Sequence, residues 1–166
     1  MYKVGINPSE SLLFSSLWIP HDVSINIILF LSKGRLTLGS LQQYADDWES
    51  SSKFHYDNGD YEWMESIIHS YKRVLEIGCG TGYSSKTLLS HGHEVLAVDN
   101  NQFCIEKAQL LLNDYPHFSI LKGDIIESAF CDLLRKNTFD IVVCWNVGGE
   151  YSDEEAKKYY AKMVPY

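Results

Sequence analysis

The sequence predicts an α/β fold in which strand–turn–helix units build a parallel sheet behind a helical N-terminal segment. Short apolar runs rich in branched residues alternate with stretches whose apolar residues recur at helical spacing. Several of these runs end in glycine or aspartate. Strands joined through helices run parallel with right-handed crossovers, so their carboxyl ends meet at one edge. Open α/β folds bind nucleotide-like ligands at that edge.

The first unit carries the most informative turn. Residues 74–77 form an apolar run, and residues 83–90 have helical spacing. Three glycines stand at alternate positions between them: Gly78, Gly80 and Gly82. Glycine permits positive φ and lets a ligand approach the backbone, and the following helix presents free N–H groups. Glu76 precedes the first glycine by two residues, and this spacing differs from the G-x-G-x-x-G fingerprint of dinucleotide sites.

The second unit ends in an acid. The predicted strand 94–98 is followed by Asp99, which lies roughly 20 residues beyond the glycine turn, where a carboxylate can accept hydrogen bonds from a ribose. The alternative role for Asp99 is to cap the helix predicted over 102–113. Asn101 can cap that helix while Asp99 faces a ligand, so the two interpretations are compatible.

Two further units repeat the plan. The strand predicted over 118–121 leads to Gly123 and Asp124, which by themselves would be a turn and a cap. The strand predicted over 139–144 is followed by Trp145.

Together these motifs resemble those of the class I S-adenosylmethionine-dependent methyltransferases, from residue 71 to about residue 163. The resemblance implies a Rossmann-like sheet of strand order 3-2-1-4, S-adenosyl-L-methionine as cofactor, and methyltransferase activity. It also implies a set of cofactor-binding residues. These are Glu76, Gly78, Cys79, Gly80, Gly82, Asp99, Asn100, Asp124, Ile125, Cys144, Trp145 and Asn146.

The resemblance assigns a place to most of this set. Glu76 lies near the amino group of the methionine moiety, Asp99 holds the ribose, and Asp124 accepts from the adenine amino group. Ile125 packs on the adenine ring. The residues at the end of the fourth strand flank the transfer site. They are Cys144, Trp145 and Asn146.

The chain departs from the family in strand number, because the family sheet has seven strands and four are predicted here. The fourth strand would leave an apolar edge open to solvent. We therefore expect a truncated domain that binds cofactor weakly or turns over poorly, or else a homodimer or partner covering that edge. The predicted division is a helical cap over residues 1–70 and an S-adenosylmethionine-binding domain over 71–166.

The first 70 residues are predicted to be mostly helical. Leu41, Tyr44 and Trp48 recur at helical spacing, and a helix is predicted over residues 22–32. Residues 49–60 are polar and rich in turn formers, so a loop near the mouth of the site is expected there. Residues 27–41 faintly resemble a helix-turn-helix, although a plain helical lid is favoured.

Composition narrows the choice of partners. A net charge of −8 opposes binding to nucleic acid, and no apolar run is long enough for a membrane helix. Residues 145–148 lack the Asn/Asp-Pro-Pro-aromatic run common in methyltransferases of DNA amino groups. This favours a small-molecule O or N acceptor, with a protein as a further possibility. The cysteines lack metal-ligand spacing, which is typical of a cytoplasmic protein with reduced thiols and no metal site.

Two other functions compete with methyl transfer. One is a non-catalytic module that binds S-adenosylmethionine or adenosine, and the other is an NAD-dependent oxidoreductase, which the glycine spacing disfavours. A catalytic base is needed only if the acceptor must lose a proton, and the pattern assigns none. The polar candidates near the cleft are His55, Tyr56, Tyr61, Glu150 and Tyr151. The pair His91 and His93 is interpreted as the end of a helix rather than as metal ligands.

Overall fold

The computed structural model describes residues 26–30, 41–68, 70, 72–124 and 139–145. Five strands and four α-helices follow one another in this part of the chain. They are β1 (Asn26–Phe30), α1 (Leu41–Asp57), α2 (Glu65–Ile68), β2 (Arg73–Ile77), α3 (Tyr83–Ser90), β3 (Glu94–Asp99), α4 (Gln102–Leu112), β4 (Phe118–Lys122) and β5 (Ile141–Trp145). A short 3-10 helix, Glu62–Met64, leads directly into α2.

The five strands form one parallel sheet in the order β1-β5-β2-β3-β4. Leaving β1 aside, this is the predicted order 3-2-1-4, so the Rossmann-like fold class is confirmed. The register places Val74 beside both Val95 and Ile141. Helices α3 and α4 are the crossovers from β2 to β3 and from β3 to β4. All the carboxyl ends therefore lie at one edge of the sheet.

Strand β1 corrects two expectations. It pairs with β5 in parallel, from Asn26 beside Ile141 to Phe30 beside Trp145. The helix predicted over residues 22–32 is therefore wrong across 26–30, and the edge of β5 is not open. A short apolar run fits either helix or strand, and the unpaired N–H and C=O groups of β5 favour the strand. The first helix of the helix-turn-helix interpretation is lost with it, and residues 31–40 lie outside the described part.

Helix α1 corrects the loop expected over residues 49–60. The helix continues to Asp57, and a turn at Gly59, where φ is +74°, reverses the chain. Ion pairing between Lys53 and Asp57, four residues apart, supports the helix on its exposed side. Ala45 and Ser52 are buried on the opposite side. The polar composition of residues 49–60 indicated a loop, but burial of one narrow face is sufficient to stabilise a helix.

The core lies between the sheet and helices α2 to α4. Val74, Val95 and Val143 from three neighbouring strands pack with Leu88 of α3 and Leu112 of α4. Met64 and Ile68 extend this cluster from the segment that precedes β2. Across the residues that the structure describes, every helix is too short or too polar to cross a lipid bilayer.

Gly82 joins the glycine turn to α4. Its φ is +89°, and a Cβ on it would stand 3.0 Å from both Ala108 Cβ and Leu112 Cδ1. The turn can therefore pack this closely against α4 only with glycine at position 82.

We expect Gly82→Ala to destabilise the fold more than Gly92→Ala. Gly92 also has positive φ, +87°, but a Cβ there would meet no atom within 4 Å. The Gly92 variant should lose about 1 kcal/mol from backbone strain alone, and the Gly82 variant roughly 1–3 kcal/mol more from overpacking. Urea denaturation measures both free energies of unfolding, and equal losses would contradict the packing role.

Candidate functional site

The glycine turn connects β2 to α3 at the carboxyl edge of the sheet. Gly78, Gly80 and Gly82 have φ angles of +70°, +54° and +89°, as the sequence predicted. The backbone N–H groups of Gly78 and Cys79 both donate to the carbonyl of Val98, at 2.8 and 3.1 Å. These two hydrogen bonds fix the turn to the end of β3.

Asp99 lies beside this turn. Its Oδ2 accepts the N–H of Gly80 at 2.8 Å, and its Oδ1 accepts the N–H of Asn101 at 2.8 Å. Burial raises the pKa of the Asp99 carboxyl, and these backbone donors act against that rise. The N–H of Asn100 also hydrogen-bonds to the carboxylate, which keeps part of its acceptor capacity for a ligand. Asn101 caps α4 by accepting from Phe103, as the sequence predicted.

Gly123 and Asp124 reach the same edge. Asp99 is beside Lys122 in the register of β3 and β4, and the N–H of Gly123 donates to the Asp99 carbonyl at 3.0 Å. The structure thus brings Asp99 and Asp124 to the side of the sheet that carries the glycine turn. Asn100 is exposed at this edge, whereas Ile125 and Asn146 lie outside the described residues.

Glu76 occupies a different position from Asp99. It is fully buried, and its carboxylate accepts hydrogen bonds from the hydroxyls of Ser84 and Ser85 in α3. Burial raises the pKa of Glu76 to about 7, and the charge of Asp99 adds to that rise. In the described part of the chain Glu76 therefore ties β2 to the first turn of α3, and its contact with a cofactor stays a prediction.

Aromatic rings stand next to the turn at the end of β5. Cys144 lies beside Ile77 in the register, and Trp145 is the following residue. The Trp145 ring centroid is 5.0 Å from that of Tyr61, edge to face, and 5.6 Å from that of Trp63. We call these three residues the aromatic cluster. Burial raises the pKa of Tyr61 to about 12, so its phenol is neutral at ordinary pH.

His55 is a polar group beside this cluster. Its ring centroid is 6.3 Å from that of Tyr61, and its Nδ1 donates to Asp60 Oδ2 at 2.7 Å. Its Nε2 makes no hydrogen bond to any described residue, and the side chain is 39% exposed. An imidazole oriented by a carboxylate in this way can take up a proton at Nε2. Tyr56 packs on Tyr83 instead, and Glu150 and Tyr151 lie outside the described residues.

Two residues at the turn were missed by the sequence analysis. The indole of Trp48 lies so close to Gly80 that a Cβ there would stand 2.2 Å from Trp48 Nε1. Thr81 Oγ1 is buried and has no hydrogen-bond partner among the described residues. Thr81 could have been noticed because it lies within the motif. Trp48 gave no local signal, because its contact with Gly80 depends on the packing of α1.

His91 and His93 lie at the end of α3, as predicted. Gly92 has a φ of +87°, and each histidine contacts an acid that precedes β2. His93 Nε2 is 3.0 Å from Glu65, and His91 Nε2 is 2.7 Å from Glu62. Within residues 41–68, 72–124 and 139–145, no three His, Cys, Asp or Glu side chains form a group suited to a metal ion.

Comparison with known proteins decides the family. The family model described as "Methyltransferase domain" matches residues 74–165, which is more than half of the chain. The chain belongs to the class I S-adenosylmethionine-dependent methyltransferase family. The match begins in β2 and includes the glycine turn, Asp99 and Asp124.

A solved structure confirms the fold of this methyltransferase domain. A protein from Methanococcus maripaludis, described as an S-adenosyl-L-methionine-dependent methyltransferase, superimposes with a TM-score of 0.64 at 17% identity. The match covers 80% of this chain and 62% of that protein.

The names of the curated relatives point to diverse methyl acceptors. Malonyl-[acyl-carrier protein] O-methyltransferase of Anoxybacillus flavithermus is 37% identical over 83 residues, which are 48% of this chain and 29% of that protein. An uncharacterized RNA methyltransferase of Protochlamydia amoebophila is 32% identical over 74 residues, 43% of this chain and 17% of that protein. The mitochondrial ubiquinone biosynthesis O-methyltransferase of Schizosaccharomyces pombe is 28% identical over 136 residues, 76% of this chain and 46% of that protein. The chain thus spans less than half the length of these relatives.

The described residues fit the cofactor of this family. The carboxylate of Asp99 stands beside the glycine turn with acceptor capacity left, and Gly78 adds a stretch of the turn without a side chain. The buried Thr81 hydroxyl, which has no partner among the described residues, supplies a further polar group at the turn.

The raised pKa of Glu76 predicts a pH-dependent difference in stability. Because the folded pKa of about 7 exceeds the ordinary value of 4.5, the folded protein binds this proton more tightly. The stabilisation from Glu76 is present below about pH 4.5 and is lost as the pH rises through 7. Glu76→Gln lacks this titrating group. Its free energy of unfolding should therefore rise relative to that of the wild type between pH 4.5 and 8, by up to about 3 kcal/mol.

Urea titrations at several pH values measure this difference, with the variant of exposed Glu106, Glu106→Gln, as the control. A difference between wild type and Glu76→Gln that is constant with pH would contradict the burial of an ionisable Glu76.

Proposed function

We propose that this chain binds S-adenosyl-L-methionine at the carboxyl edge of its sheet and transfers the methyl group to a small-molecule O or N acceptor. The observation that carries the proposal is the hydrogen bond between Gly80 N–H and Asp99 Oδ2, 2.8 Å long. It places an acceptor-rich carboxylate against a turn of bare backbone, and family membership gives that pairing its ligand.

The proposed roles follow from position. Asp99 accepts hydrogen bonds from the ribose hydroxyls, and Asp124 takes the adenine edge because β4 ends beside β3. The turn receives the methionine moiety, and Cys144 and Trp145 lie where the methyl group is transferred. The bound cofactor supplies a methyl group already activated on a sulfonium. The protein's main contribution is then to hold the acceptor in line with that group.

The aromatic cluster supports an acceptor with a planar or apolar part. Trp63 and Trp145 are only partly buried, and Tyr61 packs against Trp145 from the core. The net charge of −8 favours a small molecule over a nucleic acid, whose phosphates bind basic surfaces. A reducing cytoplasmic location is proposed because the cysteines lack metal-ligand spacing. His55, oriented by Asp60, is available to an acceptor that must lose a proton.

A non-catalytic S-adenosylmethionine-binding module is the second candidate. It stays a candidate because the matches cover less than half of each curated relative. Incubation with methyl-labelled S-adenosylmethionine and a pool of small metabolites, followed by mass spectrometry, separates the two functions. A labelled product from the wild-type chain supports the methyltransferase. Binding of S-adenosylhomocysteine without any labelled product supports the module.

We expect Asp99→Asn to weaken S-adenosylhomocysteine binding by roughly 10- to 100-fold, because charge-assisted hydrogen bonds to the ribose are lost. Isothermal titration calorimetry measures the dissociation constant. Asp114→Asn is the matched control, since Asp114 is exposed beyond the end of α4. NAD should not bind to the wild type at comparable concentrations.

If Asp99→Asn binds S-adenosylhomocysteine as tightly as the wild type, Asp99 does not hold the ribose. Tight binding of NAD would favour an oxidoreductase. Circular dichroism melting of each variant separates lost contacts from lost folding.

A further inference from the structure

Helix α1 crosses the glycine turn. Trp48 lies near the middle of this helix, and its indole fills the space over Gly80, where a Cβ would stand 2.2 Å from Nε1 and 2.5 Å from Cδ1. Gly80 is also the residue whose N–H donates to the Asp99 carboxylate, at 2.8 Å. The ring of Trp48 therefore packs directly on the turn at the point where the turn is bound to Asp99.

The first half of α1 is bound to α4 by Lys107. The Nζ of Lys107 lies 2.6 Å from Glu49 Oε2 and 2.9 Å from Asp46 Oδ1. These two acids stand on either side of Trp48 in the sequence. The paired carboxylates raise the pKa of Lys107 to about 12, so the ammonium keeps its charge throughout the ordinary pH range. We call Lys107, Asp46 and Glu49 the α1–α4 clamp.

The start of α1 has a second attachment that is continuous with the site. Asn101 donates from Nδ2 to the carbonyl of Leu41 at 3.0 Å. The N–H of the same residue donates to Asp99. The C-terminal half of α1 is attached elsewhere, where Tyr56 packs on Tyr83 and the Lys86 ammonium lies 4.8 Å from the Tyr56 ring. Releasing the clamp would therefore loosen the half that carries Trp48, which keeps the hydrogen bond from Asn101 to Leu41, while the other half stays attached to α3.

We propose that Lys107 is a positioning residue that holds α1 against the glycine turn, so that Trp48 keeps Gly80 and Asp99 in the arrangement that binds S-adenosylmethionine. The inference rests on the proposed function, because it requires a cofactor beside the turn. Lys107 acts through Trp48 and has no role in the chemical step. A cofactor that binds this arrangement loses affinity in proportion to the time that α1 spends away from the turn.

An exposed ion pair of purely structural character would behave differently. Such pairs contribute little to stability, and their removal leaves a distant ligand unaffected. Lys53 and Asp57 form such a pair on the same helix, with both side chains more than half exposed. Lys53→Met is therefore a matched control for Lys107→Met, since it also removes one positive charge but leaves the ion pairs between α1 and α4 in place.

The test measures S-adenosylhomocysteine binding to the full chain by calorimetry and its release rate by stopped-flow tryptophan fluorescence. Lys107→Met should raise the dissociation constant roughly fivefold to tenfold, mainly through faster release, with little change in melting temperature. Lys53→Met should bind like the wild type. The exchanged pair Lys107→Glu with Glu49→Lys, made together with Asp46→Asn to remove the second acid, should recover most of the affinity, because it restores an ion pair between α1 and α4.

A double-mutant cycle tests whether Lys107 acts through Trp48. Trp48→Ala should weaken binding by itself, and Lys107→Met should add little to it, because the side chain that the clamp positions is already gone. Fully additive effects would overturn the proposal, as would wild-type affinity in Lys107→Met or equal losses in Lys107→Met and Lys53→Met. If Lys107→Met melts early, the exchanged pair decides: a folded exchanged pair with weak binding also overturns it.

Failure of the proposed function gives a different result from failure of this inference. A wild-type chain that binds no S-adenosylhomocysteine contradicts the cofactor site itself. A wild-type chain that binds it while Lys107→Met binds equally well leaves the cofactor site standing and removes only the clamp.

Discussion

The hydrogen bond between Asp99 and Gly80 is the interaction on which the site depends. It exists only because β2 and β3 end level with each other and because Gly80 adopts a positive φ that turns its N–H toward β3. Burial acts against the charge of Asp99, and the N–H groups of Gly80, Asn100 and Asn101 oppose that effect. The protein thus prepares a carboxylate and a bare backbone before any ligand arrives, and a ligand need not reorganise either of them.

The two acids Glu76 and Asp99 have different environments. Glu76 is buried between β2 and α3, where burial raises its pKa and the two serine hydroxyls that donate to it act against that rise. Asp99 stays at the edge of the sheet, where backbone donors favour its charged form. The charge of Asp99 is itself one cause of the raised pKa of Glu76. A sulfonium cation bound near both acids would favour their ionised forms, so the site is suited to a positively charged ligand.

Local sequence was sufficient for β2 to β5 and for α3 and α4, since each shows a clear pattern and most of them end at a glycine or an acid. It was insufficient for β1, because residues 26–30 fit helix or strand and the edge of β5 decides between them. The same holds for α1, whose polar residues concealed a buried face formed by Ala45 and Ser52. The glycines and Asp99 were found because their backbone and charge requirements are local. Trp48 and Lys107 were not, because their partners lie on other elements.

The crystal structure of the chain with S-adenosylhomocysteine tests the central claim most directly. The account predicts ribose hydroxyls within hydrogen-bond distance of the Asp99 carboxylate and the adenine beside Asp124. The amino-acid moiety should lie beside the turn from Gly78 to Gly82. A ligand bound anywhere away from that turn, or one whose ribose makes no contact with Asp99, would contradict the account.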